Sequence, residues 1–290
     1  MIPVEEKEML ISNVDGEAIS YKIDESSHHI FSILRDKLYS NGSESLVREL
    51  MSNARDSHIE AGKADVPIKV WLPGSYLTIE DEGVGLSKER MAEVFCYYGR
   101  STKRNTNAES GMCGLGAKSF FAYTSSASIT SYYDGVKYEY AAYINESQVG
   151  EIKLISEEPT DRVNGVAIKI PIKSGDSYTF RGYVKKYAQF WDVPPTLYGD
   201  NIYGTINPPE IILSGTNWRM YKDSNLSQYN VLLDGIPYSY NMGYGHGVDG
   251  VTFIFKSGDG LVPSATRESI RKCDESDKII KNAIKVFTDE

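Results

Sequence analysis

The sequence predicts an α+β fold: helices packed on one face of a mainly antiparallel sheet, with a second α+β unit after it. Three observations carry this. Short segments at 68–72, 76–79, 127–133, 136–144, 149–155 and 165–172 read as strands. Longer segments repeat apolar residues at helical spacing, and Pro, Gly and Asn clusters separate the two kinds. The length of 290 residues suggests about two domains, each able to bury an ordinary core.

In chain order, residues 8–24 read as short strands around a turn at Asp15-Gly16. Residues 27–40 carry Ile30, Phe31, Ile33, Leu34, Leu38 and Tyr39 in an amphipathic helical pattern. Asn41-Gly42-Ser43 ends that helix. Ser43 or Ser45 is placed to cap the next one, which ends near Gly62. Strands at 68–72 and 76–79 flank a turn at Pro73-Gly74. A helix follows at 88–98, and then a polar stretch from Gly99 to Asn107 with little apolar pattern, the length of a lid or a mobile loop. Four strands come next. Lys173-Ser174-Gly175-Asp176-Ser177 reads as a linker, dividing the chain into 1–173 and 174–290. A helix at about 178–191 opens the second unit, and residues 192–209, rich in Pro, Gly and Tyr, read as loop. Strands are expected near 210–214, 217–221, 229–233 and 251–256, then a turn at Ser257-Gly258-Asp259-Gly260. An amphipathic helix runs to about 288.

Composition narrows the function classes. An apolar fraction of 41% and a charged fraction of 24% are ordinary for a soluble globular protein. A net charge of −9 argues against a dedicated nucleic-acid binder, although it leaves a local basic patch open. No apolar run approaches the length of a membrane span. The start, Met1-Ile2-Pro3-Val4-Glu5-Glu6, lacks the basic-then-apolar pattern of a signal peptide. Cys96, Cys113 and Cys273, odd in number and widely spaced, fit reduced thiols in a cytosol. The histidines show no Cys/His pairing at metal spacing, so no zinc site is expected.

Three motifs carry chemistry. In the helical stretch Leu46 to His58, Glu49, Asn53 and Asp56 stand at i, i+4 and i+7, on one face. Leu46, Leu50 and Ala54 form an adjoining apolar stripe. An amide oxygen between two carboxylates suits a metal–phosphate site, because Mg²⁺ takes few protein ligands and leaves the rest to phosphate and water. Glu49 is placed to accept a proton from water. The plain alternative is an amphipathic helix with a solvated charged face. In the second motif, a strand runs into Glu80-Asp81-Glu82-Gly83-Val84-Gly85. Here Asp81 could accept a hydrogen bond from an exocyclic amine, and the glycines allow close backbone approach. The alternative is ordinary turn chemistry. The third is Gly111-Met112-Cys113-Gly114-Leu115-Gly116-Ala117-Lys118-Ser119. These glycines lead into an expected helix start, where free N–H groups attract phosphate and Lys118 adds a cation. Gly111 to Ser119 nearly spells a P-loop, but one residue intrudes between Gly116 and Lys118 and no strand precedes it. Val166-Ala167-Ile168-Lys169 spells the kinase strand lysine, yet no catalytic loop follows, so it reads as a plain strand.

Together and in this order, the three motifs resemble the N box, the Asp-x-Gly-x-Gly box and the glycine box of the GHKL ATPase superfamily. That superfamily comprises gyrase B, the ninety-kilodalton heat-shock chaperones, histidine kinases and MutL. The resemblance implies a GHKL (Bergerat) α/β sandwich over 1–173, with a lid at about 86–113, and an S5-like α+β transducer domain over 174–290. It implies Mg²⁺-dependent ATP binding with slow ATPase activity. Glu49 would be the general base, Asn53 the Mg²⁺ ligand, and Asp56 a support for the nucleotide. Asp81 would accept from adenine N6, over a floor shaped by Gly83 and Gly85. Gly111, Gly114, Leu115, Gly116, Ala117 and Lys118 would surround the phosphates, with Ser101, Thr102 and Lys103 on the lid. Thr266-Arg267-Glu268-Ser269-Ile270 resembles the second-domain loop that reaches the γ-phosphate, which makes Arg267 an arginine finger in cis; the alternative is a capped helix start.

Val47-Arg48-Glu49-Leu50, Gly114 to Ser119, Ser128-Ile129-Thr130-Ser131-Tyr132 and the placement of Arg267 also resemble the N-terminal region of rapid-lysis rIIA-type proteins of tailed phages. Those proteins are much longer. That likeness implies a cytoplasmic protein, of the host cell if phage-encoded, with membrane association only through a partner. The superfamily implies an ATP-dependent homodimer acting on a further, unidentified protein. Two features depart from the superfamily. Val166 follows Gly165 where a threonine often supports the aspartate, leaving that task to Thr130 or a water, or adenine less tightly held. Ser57 stands where alanine is common. The rival readings are a histidine kinase, for which His28-His29 lie too near the start; a nucleotide-gated interaction module without useful turnover; and a chaperone-like, gyrase-like or MutL-like machine.

Overall fold

A computed structural model gives the fold and describes residues 40–96, 116–199, 204–241, 248–264 and 266–290. The strands expected at 8–24, all but the last residue of the helix at 27–40, and the polar stretch from Gly99 to Asn107 lie outside the described residues.

Helix α1, Gly42–Glu60, is the central element. Its stripe of Leu46, Val47, Leu50, Met51 and Ala54 is buried, and each of its larger side chains contributes about 2 kcal/mol by leaving water. The helix is capped by Asn41 rather than by Ser43 or Ser45. Asn41 Oδ1 accepts from the Glu44 N–H at 3.2 Å, and its Nδ2 donates to the Tyr183 hydroxyl at 2.9 Å. A carboxamide makes both bonds at once, from its oxygen and its nitrogen. Ser43 Oγ instead donates to Asn41 Oδ1 at 3.0 Å, and Ser45 Oγ to Glu268 Oε1 at 3.3 Å.

The strands that follow are β1 (Lys69–Leu72), β2 (Tyr76–Glu80), β3 (Ser126–Tyr133), β4 (Val136–Ile144), β5 (Gly150–Pro159) and β6 (Gly165–Pro171). Helix α2 (Lys88–Cys96) lies between β2 and β3, and α3 (Ser177–Ala188) follows β6. Two strands then arise inside the expected loop at 192–209: β7 (Thr196–Gly199) and β8 (Gly204–Thr205). β7 pairs parallel with β1, with Val70 opposite Leu197. Leu197 is 2% exposed, so burial overrides the turn-rich composition. The eight strands form one sheet in the order β5-β4-β3-β6-β2-β1-β7-β8.

A second sheet holds β9 (Ile211–Ser214), β10 (Trp218–Tyr221), β11 (Val231–Leu233), β12 (Ile236–Tyr238) and β13 (Val251–Phe255), in the order β12-β11-β13-β10-β9. β12 has no sequence counterpart above, because Pro237 in a run of three hides it; it sits at the sheet edge, where proline is tolerated. Helix α4 (Asp274–Asp289) covers this sheet, with Phe287 edge-on to Trp218 at 4.9 Å. One apolar core runs through both sheets and α1, α3 and α4, so the architecture is mixed α+β.

The helix expected after the glycine box is a 3₁₀ turn, Gly116–Ala122. Its tighter winding puts the adjacent Phe120 and Phe121 both in the core, with ring centroids 4.5 Å apart. Among the described residues no helix is long and apolar enough to cross a membrane.

Asn41→Ala should lower unfolding stability by about 1 kcal/mol. Ser43→Ala should cost less than half of that; equal losses in denaturant titrations would return the cap to the serines.

Candidate functional site

Helix α1 lines the site along its length, so each turn presents a different group. At its N-terminal end Glu49 is 3% exposed and held on both oxygens. Arg267 Nη1 donates to Oε2 at 2.9 Å, and Arg48 Nε to Oε1 at 3.2 Å. Arg48 is itself anchored, its Nη2 donating to the Thr266 carbonyl at 2.6 Å. Glu268 Oε1 then accepts from Ser40 N at 2.9 Å, Ser40 Oγ at 3.0 Å and Asn41 N at 3.4 Å, as well as from Ser45 Oγ. Three consecutive residues, Thr266, Arg267 and Glu268, therefore grip the first two turns of α1.

Arg267 has φ +55°, a left-handed conformation that costs a non-glycine residue about 1–3 kcal/mol. Its N–H donates to the Ser264 carbonyl and the Ser264 N–H to the Ser269 carbonyl, both at 2.8 Å, so the loop closes on itself and enforces the turn. Burial opposes the charge on Arg267, but Glu49 first, then Tyr238 and Asp56, outweigh it and hold its pKa above the ordinary value. Burial likewise opposes the charge on Arg48, and Glu49 beside it leaves the pKa raised. Arg267 Nε and Nη2 are buried without a hydrogen-bond partner among the described residues. Buried donors of this kind cost stability unless an acceptor arrives.

Asn53 is half-buried, one turn beyond Glu49, and Asp56 is 2% exposed. At the far end Ser57 and His58 hold the turn after β2. Ser57 Oγ donates to Asp81 Oδ1 at 3.0 Å and accepts from the Val84 N–H at 3.2 Å. The Gly83 N–H donates to the same Oδ1 at 2.9 Å. The backbone of Val166 also favours the ionised carboxylate. Ser57, not Thr130, thus supports Asp81; Thr130 lies on β3 opposite Ala167. Asp81 N–H also donates to the Val166 carbonyl at 2.9 Å, so position 166 contributes only backbone.

Both glycines of this turn are required by packing. A Cβ on Gly83 would lie 2.1 Å from Ser57 Oγ. Gly85 has φ +67°, and a Cβ there would lie 2.2 Å from the Tyr132 carbonyl oxygen.

His58 Nδ1 lies 2.8 Å from the Val66 carbonyl, while Nε2 accepts from the Glu82 N–H at 2.7 Å. This arrangement needs a neutral ring with the proton on Nδ1. Burial, the largest effect, lowers its pKa below 6.5. Its contribution to stability is therefore complete above that value and is lost as the pH falls through the lowered one.

Burial pushes the Asp81 carboxyl from 3.8 up to about 7, against the hydrogen bonds from Gly83, Ser57 and the Val166 backbone. The sign is opposite to that of His58: the stability tied to the protonated carboxyl is complete below 3.8 and is lost as the pH rises through about 7.

Ser57 lies eight residues beyond Glu49, or ~12 Å along the helix at the usual rise. Glu49 with Arg267 and Ser57 with Asp81 are thus the two ends of one elongated site. Of the glycine-box residues, Gly111, Gly114 and Leu115 lie outside the described residues, as do Ser101, Thr102 and Lys103; only the backbone of Gly116, Ala117 and Lys118 is described. A seven-residue 3₁₀ turn supplies a weaker dipole than the helix expected there. Among the described residues no group of three or more His, Cys, Asp or Glu could hold a metal ion. Sequence reasoning missed Arg48, Ser57, His58 and Glu268 as site-building residues. Their only signal was proximity to a motif.

Asp81→Asn keeps an acceptor for Ser57 and Gly83 but carries no charge. Its melting temperature relative to the parent should rise between pH 5 and pH 8, as the parent loses the stability tied to its protonated carboxyl. Both chains keep His58, so its titration cancels. An equal difference in melting temperature at the two pH values would refute the buried-charge account.

Residues 39–175 match the family model described as Histidine kinase-, DNA gyrase B-, and HSP90-like ATPase. No curated protein matches the chain. The mixed α+β architecture is consistent with the fold of that family, to which residues 39–175 are similar.

Proposed function

We propose that this protein is a Mg²⁺-dependent ATPase of slow turnover, whose output is ATP-driven lid closure and dimerisation. The family match suggests ATP binding and hydrolysis. The observation that carries the finer reading is the buried contact between Glu49 and Arg267, which leaves two guanidinium nitrogens unpartnered among the described residues. Those donors suit the oxygens of a terminal phosphate.

The site's residues divide the work. Asp81 Oδ2 accepts from the exocyclic amine of adenine. Arg267 turns from Glu49 to the γ-phosphate, its charge exchanging one anion for another. Glu49 Oε2 is then free to take a proton from a water, whose oxygen attacks the γ-phosphorus. The bond from phosphorus to the bridging oxygen breaks, and ADP leaves with the electron pair. Arg48, held by Thr266, keeps Glu49 oriented on its other oxygen. The amide of Asn53 is the hard oxygen ligand on this face and would hold Mg²⁺. When bound, the ion would neutralise phosphate charge.

The double clamp on Glu49 also favours a second reading, a nucleotide-gated interaction module in which water never reaches the base. The S5-like character of residues 174–290 is part of the proposal, supported by the position of Arg267. The rIIA-type relationship rests on short phrases of sequence alone.

Titration calorimetry with a non-hydrolysable ATP analogue and Mg²⁺, with the GTP analogue as control, tests the site. Saturable, adenine-selective binding is expected, and none would sink the reading. Glu49→Gln should bind like the parent yet lose turnover by about 100-fold or more. Unchanged turnover would remove Glu49 from the chemistry, and an inactive parent that binds ATP would favour the gated module. Arg267→Ala should slow multiple turnover with a modest loss of affinity; no change would place it outside the site.

A further inference from the structure

We propose that Ser57 is the base-selectivity determinant of the nucleotide site: its hydroxyl donates to one oxygen of Asp81 and so favours the ionised carboxylate, an acceptor for the base. The proposal rests on the reading that Asp81 receives the base. The ordinary alternative is that Ser57 merely pins a helix to a turn.

The geometry favours the first. A hydroxyl has one proton and two lone pairs. The Val84 N–H points at Ser57 Oγ from 3.2 Å and takes a lone pair, so the proton is driven towards Asp81 Oδ1, 3.0 Å away. The Gly83 N–H fills the second position on the same oxygen at 2.9 Å. Two donors on Oδ1 favour the ionised carboxylate, the form in which Oδ2 is an acceptor and carries no proton. An amino group in the plane of a base satisfies that oxygen, whereas a keto oxygen at the same place meets it lone pair to lone pair. The fit around the hydroxyl is close, since even a methyl carbon on Gly83 would lie 2.1 Å from Ser57 Oγ.

The charged groups around Asp81 are otherwise matched. Glu80 pairs with Arg162, and Lys69 lies 3.8 Å from Glu80 Oε1. Lys69 Nζ bonds Glu82 Oε1 at 2.5 Å, Lys63 Nζ donates to the Glu82 carbonyl at 2.6 Å, and neutral His58 accepts from the Glu82 N–H. None of them touches the Asp81 carboxylate. Ser57 is the one side chain among the described residues that donates to it, and removing it should let Asp81 hold its proton to higher pH. A protonated carboxyl can donate to a keto oxygen, so discrimination between amino and keto bases should fall.

The test uses the full chain with Ser57→Ala and, as the conservative variant, Ser57→Thr. ATP and GTP analogues are titrated from pH 5.5 to 8.5 in the presence of Mg²⁺. In Ser57→Ala the ratio of ATP to GTP affinity should fall roughly tenfold, the size expected for a lost bond to a charged group. The pH at half-maximal ATP affinity should rise. Ser57→Thr should restore both. Melting temperature against pH without nucleotide reads the same bond independently, and its break should move upward in Ser57→Ala only. If the parent binds ATP selectively and Ser57→Ala keeps both ratio and pH profile, the assignment to Ser57 is overturned and the nucleotide reading stands. If the parent binds neither nucleotide, the nucleotide reading itself falls and the selectivity role falls with it.

Discussion

The ion pair between Glu49 and Arg267 joins residues 218 positions apart in a place that excludes water. Taking two charges out of water costs several kcal/mol per ion, and their attraction offsets this only when geometry and further hydrogen bonds are good. The chain supplies those bonds unevenly. Glu49 is satisfied on both oxygens. Arg267 uses one nitrogen on Glu49, keeps two without partners among the described residues, and sits in a left-handed backbone conformation. The imbalance is what the proposed contact between Arg267 and a phosphate rests on.

That loop is also what ties the two sheets to one helix. Thr266 takes Arg48, Arg267 takes Glu49 and Glu268 takes the residues around the cap, so a shift of the loop is felt in the first turns of α1. Further along, Arg55 donates to the Asp234 carbonyl at 2.7 Å and lies over the Trp191 ring at 4.7 Å. The helix that lines the candidate site is thereby fastened to the second sheet at both ends. Under the proposed function, the coupling of phosphate contact to a wider rearrangement would run through this one element.

The base end obeys a different balance. Asp81 is kept where its charge is costly, and helix and turn are spent on holding it: Ser57, His58, Gly83 and Gly85 all serve four consecutive residues. Such local frustration, a carboxyl forced towards neutrality by burial, fits the proposed role of Asp81.

Periodicity and spacing by themselves determined the helix with Glu49, Asn53 and Asp56 on one face, the strands that precede and follow it, and the glycine pattern at Asp81. These are local signals, written within one or two turns of chain. The Asn41 cap was misread because serines crowd the same turn, and only the partner Tyr183, from a distant helix, explains the choice. β7 was hidden because its neighbours are Pro and Gly, while its reason for being a strand is the exposed edge of β1. Ser57 looked like a minor departure until the turn after β2 was folded against it. The tertiary structure alone decided that Arg48, Arg267 and Glu268 converge on α1, and that Ser57 does the work expected of a threonine elsewhere. Hydrogen bonds across more than two hundred residues leave no periodic trace. They depend on where two sheets come to rest, which burial of the whole core sets and no short stretch encodes.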